Sequence, residues 1–411
     1  MMIEGVKMYD VEQVRQDFPV LREIINGKPN TFLDSAASAQ KPQAVINRIV
    51  DIYTHEYSNV HRGSYLLSEE ITQAYEQARE KVRAFLNAAS AREIVFTRNA
   101  TESINLVAST WGRRFLTKMD EVLISEAEHH ANLVPWQVLR DEIGFELKIF
   151  KINDDGSFNW DDFCRNLSGK TKLVAVTGMS NVLGTVFPLK EMIKSAHEVG
   201  AKVLVDGCQY VVHQPTDVRD LDCDFLAFSG HKTYGPSGIG VLYGKADLLD
   251  AMPPYQFGGD MVNVVTYQST TFDVPPARFE AGTPAIVQAI GLGTALDYMM
   301  TLGMENIKAH EDELTAYMHK RLPEVKGLHE VGTAEGKGGV FSIAIDGIHP
   351  QDLAFILDKE GVSVRVGHHC AAPLVRRMGY ESLTRASFGL YSNHTDVDNF
   401  IAALHKAQTF F

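Results

Sequence analysis

The chain has 411 residues, 45% of them hydrophobic and 22% charged, with a formal net charge of −13. That is more chain than one hydrophobic core serves, so two domains in one compact unit are expected. The acidic balance argues against non-specific binding to nucleic acid or an anionic membrane, since both need a basic face.

The opening MMIEGVKMYDVEQVRQDF (1–18) carries acids early and lacks an apolar core, so no signal peptide is expected. No later stretch has the roughly 18 uncharged apolar residues of a membrane span. Residues 93–97 (EIVFT) read as a strand, and 101–107 (TESINLV) open a helix. Residues 121–125 (EVLIS) and 172–177 (KLVAVT) are further strands. A helix is expected from near Pro188 to Gly200, where glycine suits the position after a helix end. Strands at 202–206 (KVLVD) and 224–229 (DFLAFS) complete an alternation that predicts a mostly parallel sheet with helices on both faces.

Beyond about residue 300 the pattern changes. Residues 340–345 (VFSIAI) alternate like a half-buried strand, 351–360 form a helix ended by Gly361, and 362–366 (VSVRV) form a strand. Thr395 is expected to cap a last helix whose Val397, Phe400, Ile401 and Leu404 share one face. This predicts an α/β chain with a large domain over 31–297. A smaller α+β domain takes 298–411, with residues 1–30 packed against it.

In open α/β sheets, ligands bind beyond the carboxyl ends of the strands. After the first strand, Ala100 and Thr101 open a helix whose free N–H groups suit a phosphate, or are simply capped by Asn99. After 121–125, EHHAN at 128–132 offers His129 to stack on a ring or shuttle protons, or as an ordinary loop histidine. After 172–177, SNVLG at 180–184 offers Asn181 to a ligand oxygen, or forms a structural turn. Asp206 ends the next strand and Gln209 follows; such a carboxylate pairs with a protonated ring nitrogen or caps a helix. The last strand runs into FSGHKTYGPSGIG (228–240), with Ser229, His231 and Lys232. Lys232 is one amine at the end of a buried strand, a Schiff-base nucleophile or a surface lysine in a glycine-rich turn. Five successive strand ends carrying ligand groups favour one site over five coincidences.

The small domain adds RVGHHCAAP at 365–373. Cys370 stands in a loop with Arg365, His368 and His369 beside it, and cationic neighbours favour a thiolate. No fourth ligand stands at a recognised spacing, so no metal is expected there. The four cysteines, Cys164, Cys208, Cys223 and Cys370, lack CxxC spacing and suit free thiols in a reducing cytoplasm. Arg385, inside an apolar run, suits a two-pronged grip on a carboxylate, where a lone arginine is otherwise a surface charge.

These segments resemble group II (SufS/CsdA-type) cysteine desulfurases, in the class V branch of fold-type I pyridoxal-phosphate (PLP) enzymes. The resemblance runs nearly end to end through FLDSAA (32–37), NVHRG (59–63), EHHAN, SNVLG, VDGCQ (205–209), SGHK (229–232), FEAGT (279–283) and RVGHHC (365–370). It departs at Gly178-Met179, Cys208 and Gln256. The resemblance implies that Lys232 carries PLP covalently, Asp206 pairs with its ring nitrogen, and His129 stacks on the ring. It places Gln209 at the ring 3′-oxygen and Asn181 near that oxygen and the substrate carboxylate. Ala100, Thr101, Ser229 and His231 would hold the phosphate, with Thr283 reaching the phosphate of a second subunit in a homodimer. Arg385 would grip the substrate carboxylate, with Arg365 the next candidate, and Cys370 would take the sulfur. The implied reaction converts L-cysteine to L-alanine, with sulfur passing to an acceptor protein of the SufE/CsdE/SufU type for iron–sulfur cluster or other cofactor synthesis. Selenocysteine lyase shares these residues. A class V aminotransferase, racemase or epimerase would leave Cys370 incidental.

Overall fold

A computed structural model describes residues 9–411, so those parts of the N-terminal readings that cover residues 1–8 lie outside the described residues. Seven strands form the central sheet: β1 (Ile94–Thr97), β2 (Glu121–Ser125), β3 (Glu146–Phe150), β4 (Thr171–Thr177), β5 (Lys202–Asp206), β6 (Phe225–Ser229) and β7 (Gly240–Gly244). They lie in the order β1-β7-β6-β5-β4-β2-β3. Strands β2 to β6 pair in parallel, while β7 runs antiparallel to both β6 and β1.

The apolar runs follow from burial on both faces. Every residue of β1, β2, β6 and β7 is buried. Alternate side chains feed two separate cores. Val174, Val176, Val203, Val205 and Phe228 enter one. Leu173, Ala175, Leu204, Phe225 and Ala227 enter the other. Two strands of this central sheet escaped the sequence reading. In β3 the charges of Glu146 and Lys148 interrupt the apolar run at a sheet edge. In β7, glycines at both ends read as turn.

A second sheet of β8 (Leu328–Val331), β9 (Val340–Ile345), β10 (Arg365–Gly367) and β11 (Leu383–Ser387) is antiparallel in the order β8-β9-β11-β10. A third core lies on it, built from Phe341 and Ile343 with Leu314, Leu353, Leu357, Phe400 and Leu404 of three helices. Two expectations are corrected here. The strand expected over 362–366 breaks at Val364. Val362–Ser363 pairs in parallel with Thr31–Phe32, while Arg365–Gly367 pairs with β11. The last helix, His394–Gln408, is capped by Asn393 rather than Thr395. Asn393 Oδ1 accepts from the Asp396 amide at 3.0 Å, and Asp396 Oδ2 accepts from the Asn393 amide at 3.0 Å. That reciprocal box satisfies two donors at once, which Thr395, inside the first turn, does not.

Residues 15–34 run along this second sheet and its helices. Arg15 pairs with Asp396 at 2.6 Å, and Asn26 donates to the Asp358 carbonyl at 2.7 Å. Further on, the Leu33 amide bonds to Ser363 and Asp34 bridges to Ser387. These contacts deliver Asp34 beside β10 and β11.

Candidate active site

A cavity of about 630 Å³ opens at the carboxyl ends of the central strands. Its walls include Ala100, Thr101, His129, Asn181, Asp206, Gln209, Ser229, His231 and Lys232 from the large sheet, with Arg365, Cys370 and Arg385 from the small one. Of the residues expected in the site, only Thr283 lies elsewhere. It lines a cavity of about 380 Å³ with Tyr75, Glu102 and Gln256.

At one end, the helix Ala100–Val107 points its N-terminus inward. Asn99 Oδ1 accepts from the Glu102 amide at 2.9 Å and Ser229 Oγ accepts from the Ala100 amide at 2.9 Å. Gly240 of β7 backs this turn so closely that a Cβ there would stand 2.4 Å from Asn99 Cα. The helix dipole and these small residues make an anion cradle.

Lys232 sits in a turn closed by Gly230 to Ile239 and Gly235 to Gly230 backbone bonds, each 2.9 Å. Lys41 donates to the His231 carbonyl at 2.9 Å from below, and burial pushes its amine down to about 8. Buried Asp206 accepts from the Cys208 amide at 3.0 Å. Burial first, and the charge of Asp206 next, push the Cys208 thiol up to about 12, so it stays protonated. Gln209 is oriented by its amide bond to the Ala36 carbonyl at 2.8 Å. Gly178 needs its missing side chain: a Cβ would meet Tyr210 Cβ at 2.8 Å.

His129 Nδ1 accepts from the Ala131 amide at 3.1 Å, which puts the ring hydrogen on Nε2. Burial, then the nearby Lys232 charge, push its pKa down to about 4, so the ring is neutral. Next to it, Glu128 is buried. Its Oε1 accepts from Ser125 Oγ at 2.5 Å and from the Thr177 amide at 3.0 Å, and its Oε2 accepts from Asn132 at 2.7 Å. Burial raises this carboxyl to about 8.

On the opposite wall, Arg385 is buried. It donates to the Asn181 carbonyl at 2.9 Å and to Asp34 at 3.3 Å, while its Nε makes no hydrogen bond among the described residues. Burial pushes this guanidinium down to about 10. A buried cation with a spare donor suits an incoming carboxylate. Arg365, half-exposed, grips the same Asp34 at 2.8 Å. Asn181 spends its amide on the His369 carbonyl at 2.8 Å.

Cys370 is exposed, and both it and His369 have left-handed backbone, with φ of 55° and 52°. For residues other than glycine this costs about 1–2 kcal/mol each. The expectation of a cationic cluster around the thiol is corrected in one respect. Burial first, and Arg385 next, push His369 down to about 3, so its ring carries no charge. Asp34, Lys41, Glu128 and His130 escaped the sequence reading as site residues, although three of the four stand inside the FLDSAA and EHHAN segments.

With this geometry in view, known proteins align closely. The aminotransferase class-V family matches residues 31–400. A cysteine desulfurase of Dickeya dadantii is 52% identical over 402 residues, covering 98% of this chain and 97% of its own. A cysteine desulfurase of Synechococcus elongatus is 48% identical over 405 residues; the match takes in 98% of this chain, which spans 65% of that longer protein. The crystal structure of the Escherichia coli cysteine desulfurase CsdA superposes with a TM-score of 0.92 at 37% identity, covering 98% of this chain and 100% of that one. The architecture is therefore that of the fold-type I PLP enzymes. The chain belongs to the class-V aminotransferase family, in its SufS/CsdA-type cysteine desulfurase branch.

Proposed function

We infer that this chain is a PLP-dependent cysteine desulfurase that converts L-cysteine to L-alanine and collects the sulfur on Cys370. One observation carries the reading: a single cavity joins Lys232 and Asp206 on strand ends to Cys370 on a loop from the other sheet, with the spare Nε of Arg385 in the same wall.

The residues fit PLP. Lys232 offers the amine, Asp206 a buried carboxylate for the ring nitrogen, and His129 a neutral ring to stack. Gln209 and Asn181, which also line the cavity, would serve the 3′-oxygen side. The cradle of Ala100, Thr101, Ser229 and His231, backed by Gly240, suits the phosphate. When bound there, PLP supplies an electron sink that makes the substrate Cα–H acidic.

The protein's own groups then divide the work. Arg385 binds the substrate carboxylate and so turns Cα–H toward Lys232, whose amine takes the proton. Asp206 keeps a proton on the ring nitrogen. Neutral His129, which lines the cavity, keeps its ring hydrogen on Nε2 as a donor. The Cys370 thiolate attacks the substrate sulfur: an S–S bond forms and the Cβ–S bond breaks. The electron pair of that bond stays on the three-carbon fragment, which takes up a proton and leaves as alanine. Cysteine and the Cys370 thiol thus become alanine and a Cys370 persulfide, with no external oxidant.

The same reading gives a large domain over 31–297 and a small one over 1–30 and 298–411. It gives a homodimer in which Thr283 serves the phosphate bound by a second copy, since Thr283 stands outside the cavity of its own chain. It assigns the sulfur to an acceptor protein of the SufE/CsdE/SufU type and the enzyme to the cytoplasm, where its four free cysteines stay reduced. The test is to incubate purified protein with L-cysteine, with and without reductant, and to measure alanine and sulfide. Equal alanine and sulfide with reductant, and a persulfide on Cys370 without it, are expected. Alanine without sulfur release, or no alanine, overturns the reading.

A further inference from the structure

The EHHAN segment contains a second histidine that the chemistry above leaves idle, and it meets the cysteine loop. The His130 amide donates to the Cys370 carbonyl at 2.7 Å. Its ring Nε2 accepts from the Ala372 amide at 3.0 Å. One residue of the large domain therefore holds the chain on both sides of Ala371. The ring must be neutral, with its hydrogen on Nδ1, for Nε2 to accept. Burial and the neighbouring His368 lower the His130 pKa, which favours that form.

The held segment would not rest there unaided. His369 and Cys370 are consecutive residues with left-handed backbone, and neither is glycine. Such a pair persists only where surrounding contacts over-determine it. The contacts across the domains are the two from His130 and the bond from Asn181 to the His369 carbonyl. Within the loop, the Ala371 amide bonds to the His368 carbonyl at 2.8 Å. Neither buried ring nitrogen of His369 has a hydrogen-bond partner of good geometry among the described residues. The result is a thiol at the boundary of two cavities. Cys370 lines the site of about 630 Å³ and also an adjoining hollow of about 390 Å³ over the helix Val134–Ile143.

We propose that His130 is a positioning residue for Cys370: its amide and its ring acceptor clamp the strained loop so that the sulfur faces the cofactor cavity, and their release frees the loop. The consequence for sulfur transfer rests on the desulfurase reading. The clamp itself rests only on the contacts described.

The test compares His130→Leu, which keeps bulk but loses the acceptor, with His130→Gln, whose side-chain oxygen can still accept from Ala372. Two readouts need no turnover: the iodoacetamide alkylation rate of Cys370, and amide exchange of the peptide covering 366–378, both on PLP-loaded protein. In His130→Leu, alkylation and exchange are expected to rise several-fold, with the PLP absorbance unchanged. Its kcat for sulfide release is expected to fall about tenfold or more at unchanged KM, because a small misplacement of a reacting atom is costly. His130→Gln should return all three toward wild type. Alkylation and exchange in His130→Leu equal to wild type overturn the clamp. So does a loss in the leucine variant that glutamine does not restore while both variants bind PLP. If wild type itself releases no sulfide from cysteine, the desulfurase reading fails instead, and the alkylation and exchange comparison still decides the clamp.

Discussion

The two walls of the cavity are built in opposite ways. Asp206 and Ser229 end strands, and Asn181 and Lys232 follow strands, whose residues are almost all buried on both faces. Their carriers cannot move without opening two cores. Cys370 stands exposed on a loop with two left-handed residues, fastened by a few hydrogen bonds to His130 and Asn181. The difference matches the tasks. Electronic control of a cofactor needs fixed dipoles and charges. A thiol that must reach a substrate and then deliver sulfur elsewhere needs a support of low local stability.

The sharpest way to break this comparison is to remove one reacting group from each wall. Lys232→Ala should abolish both turnover and the borohydride-bleachable yellow colour of bound PLP; labelling of any other lysine would relocate the cofactor. Cys370→Ala should lose sulfide release from L-cysteine just as completely, yet keep PLP and its spectral response to cysteine. Cys208→Ala should leave turnover intact, because that thiol is only partly accessible and is held protonated. A persulfide mapped by mass spectrometry to Cys208 would reverse the assignment.

A smaller effect is expected from the arginines. Arg385→Ala removes a buried charged donor, which costs about 2 kcal/mol or more, or about thirtyfold in the cysteine concentration needed for the spectral change. Arg365 is half-exposed and its pair with Asp34 is screened, so Arg365→Ala should cost under about 1 kcal/mol on the same titration. Equal effects would move the carboxylate grip to both residues.

A last effect, on stability rather than on turnover, lies beneath the rigid wall. The Glu128 carboxyl titrates near the ordinary 4.5 when unfolded and at about 8 when folded, because burial disfavours its charge. The native state therefore holds the proton more tightly, and the stability this contributes is full below about 4.5 and lost as pH rises through about 8. Denaturant midpoints of Glu128→Gln should vary less between pH 5 and pH 8 than those of wild type. Parallel pH profiles for the two proteins would place the titration elsewhere.

The rigid wall was largely legible in the sequence. Buried parallel strands show as unbroken β-branched runs, and the residue after each run falls where ligands bind, so Asp206, Lys232 and Asn181 could be read from local pattern. Cys370 and Arg385 were legible as residue types in an unusual setting. The clamp and the arginine support were not. His130 acts through one amide and one ring nitrogen on a loop 240 residues away, and Asp34 acts by lying beside Ser387. Such long-range pairings leave no periodic trace. The missed strand β7 shows the same limit, since its terminal glycines answer to the backbone of Asn99 and the side chain of Leu249 rather than to a turn.

That contact at Gly240 has a consequence for how this chain can vary. Any side chain at position 240 would have to displace the backbone of Asn99, which is neither flexible nor optional, because Asn99 caps the helix at the anion cradle. The antiparallel strand thus works as a template for the anion cradle: its shape is copied, atom against atom, into the turn in front of it. In a saturation library, tolerance at position 240 should therefore track retention of the phosphorylated cofactor as well as thermal stability, although the residue touches no ligand itself.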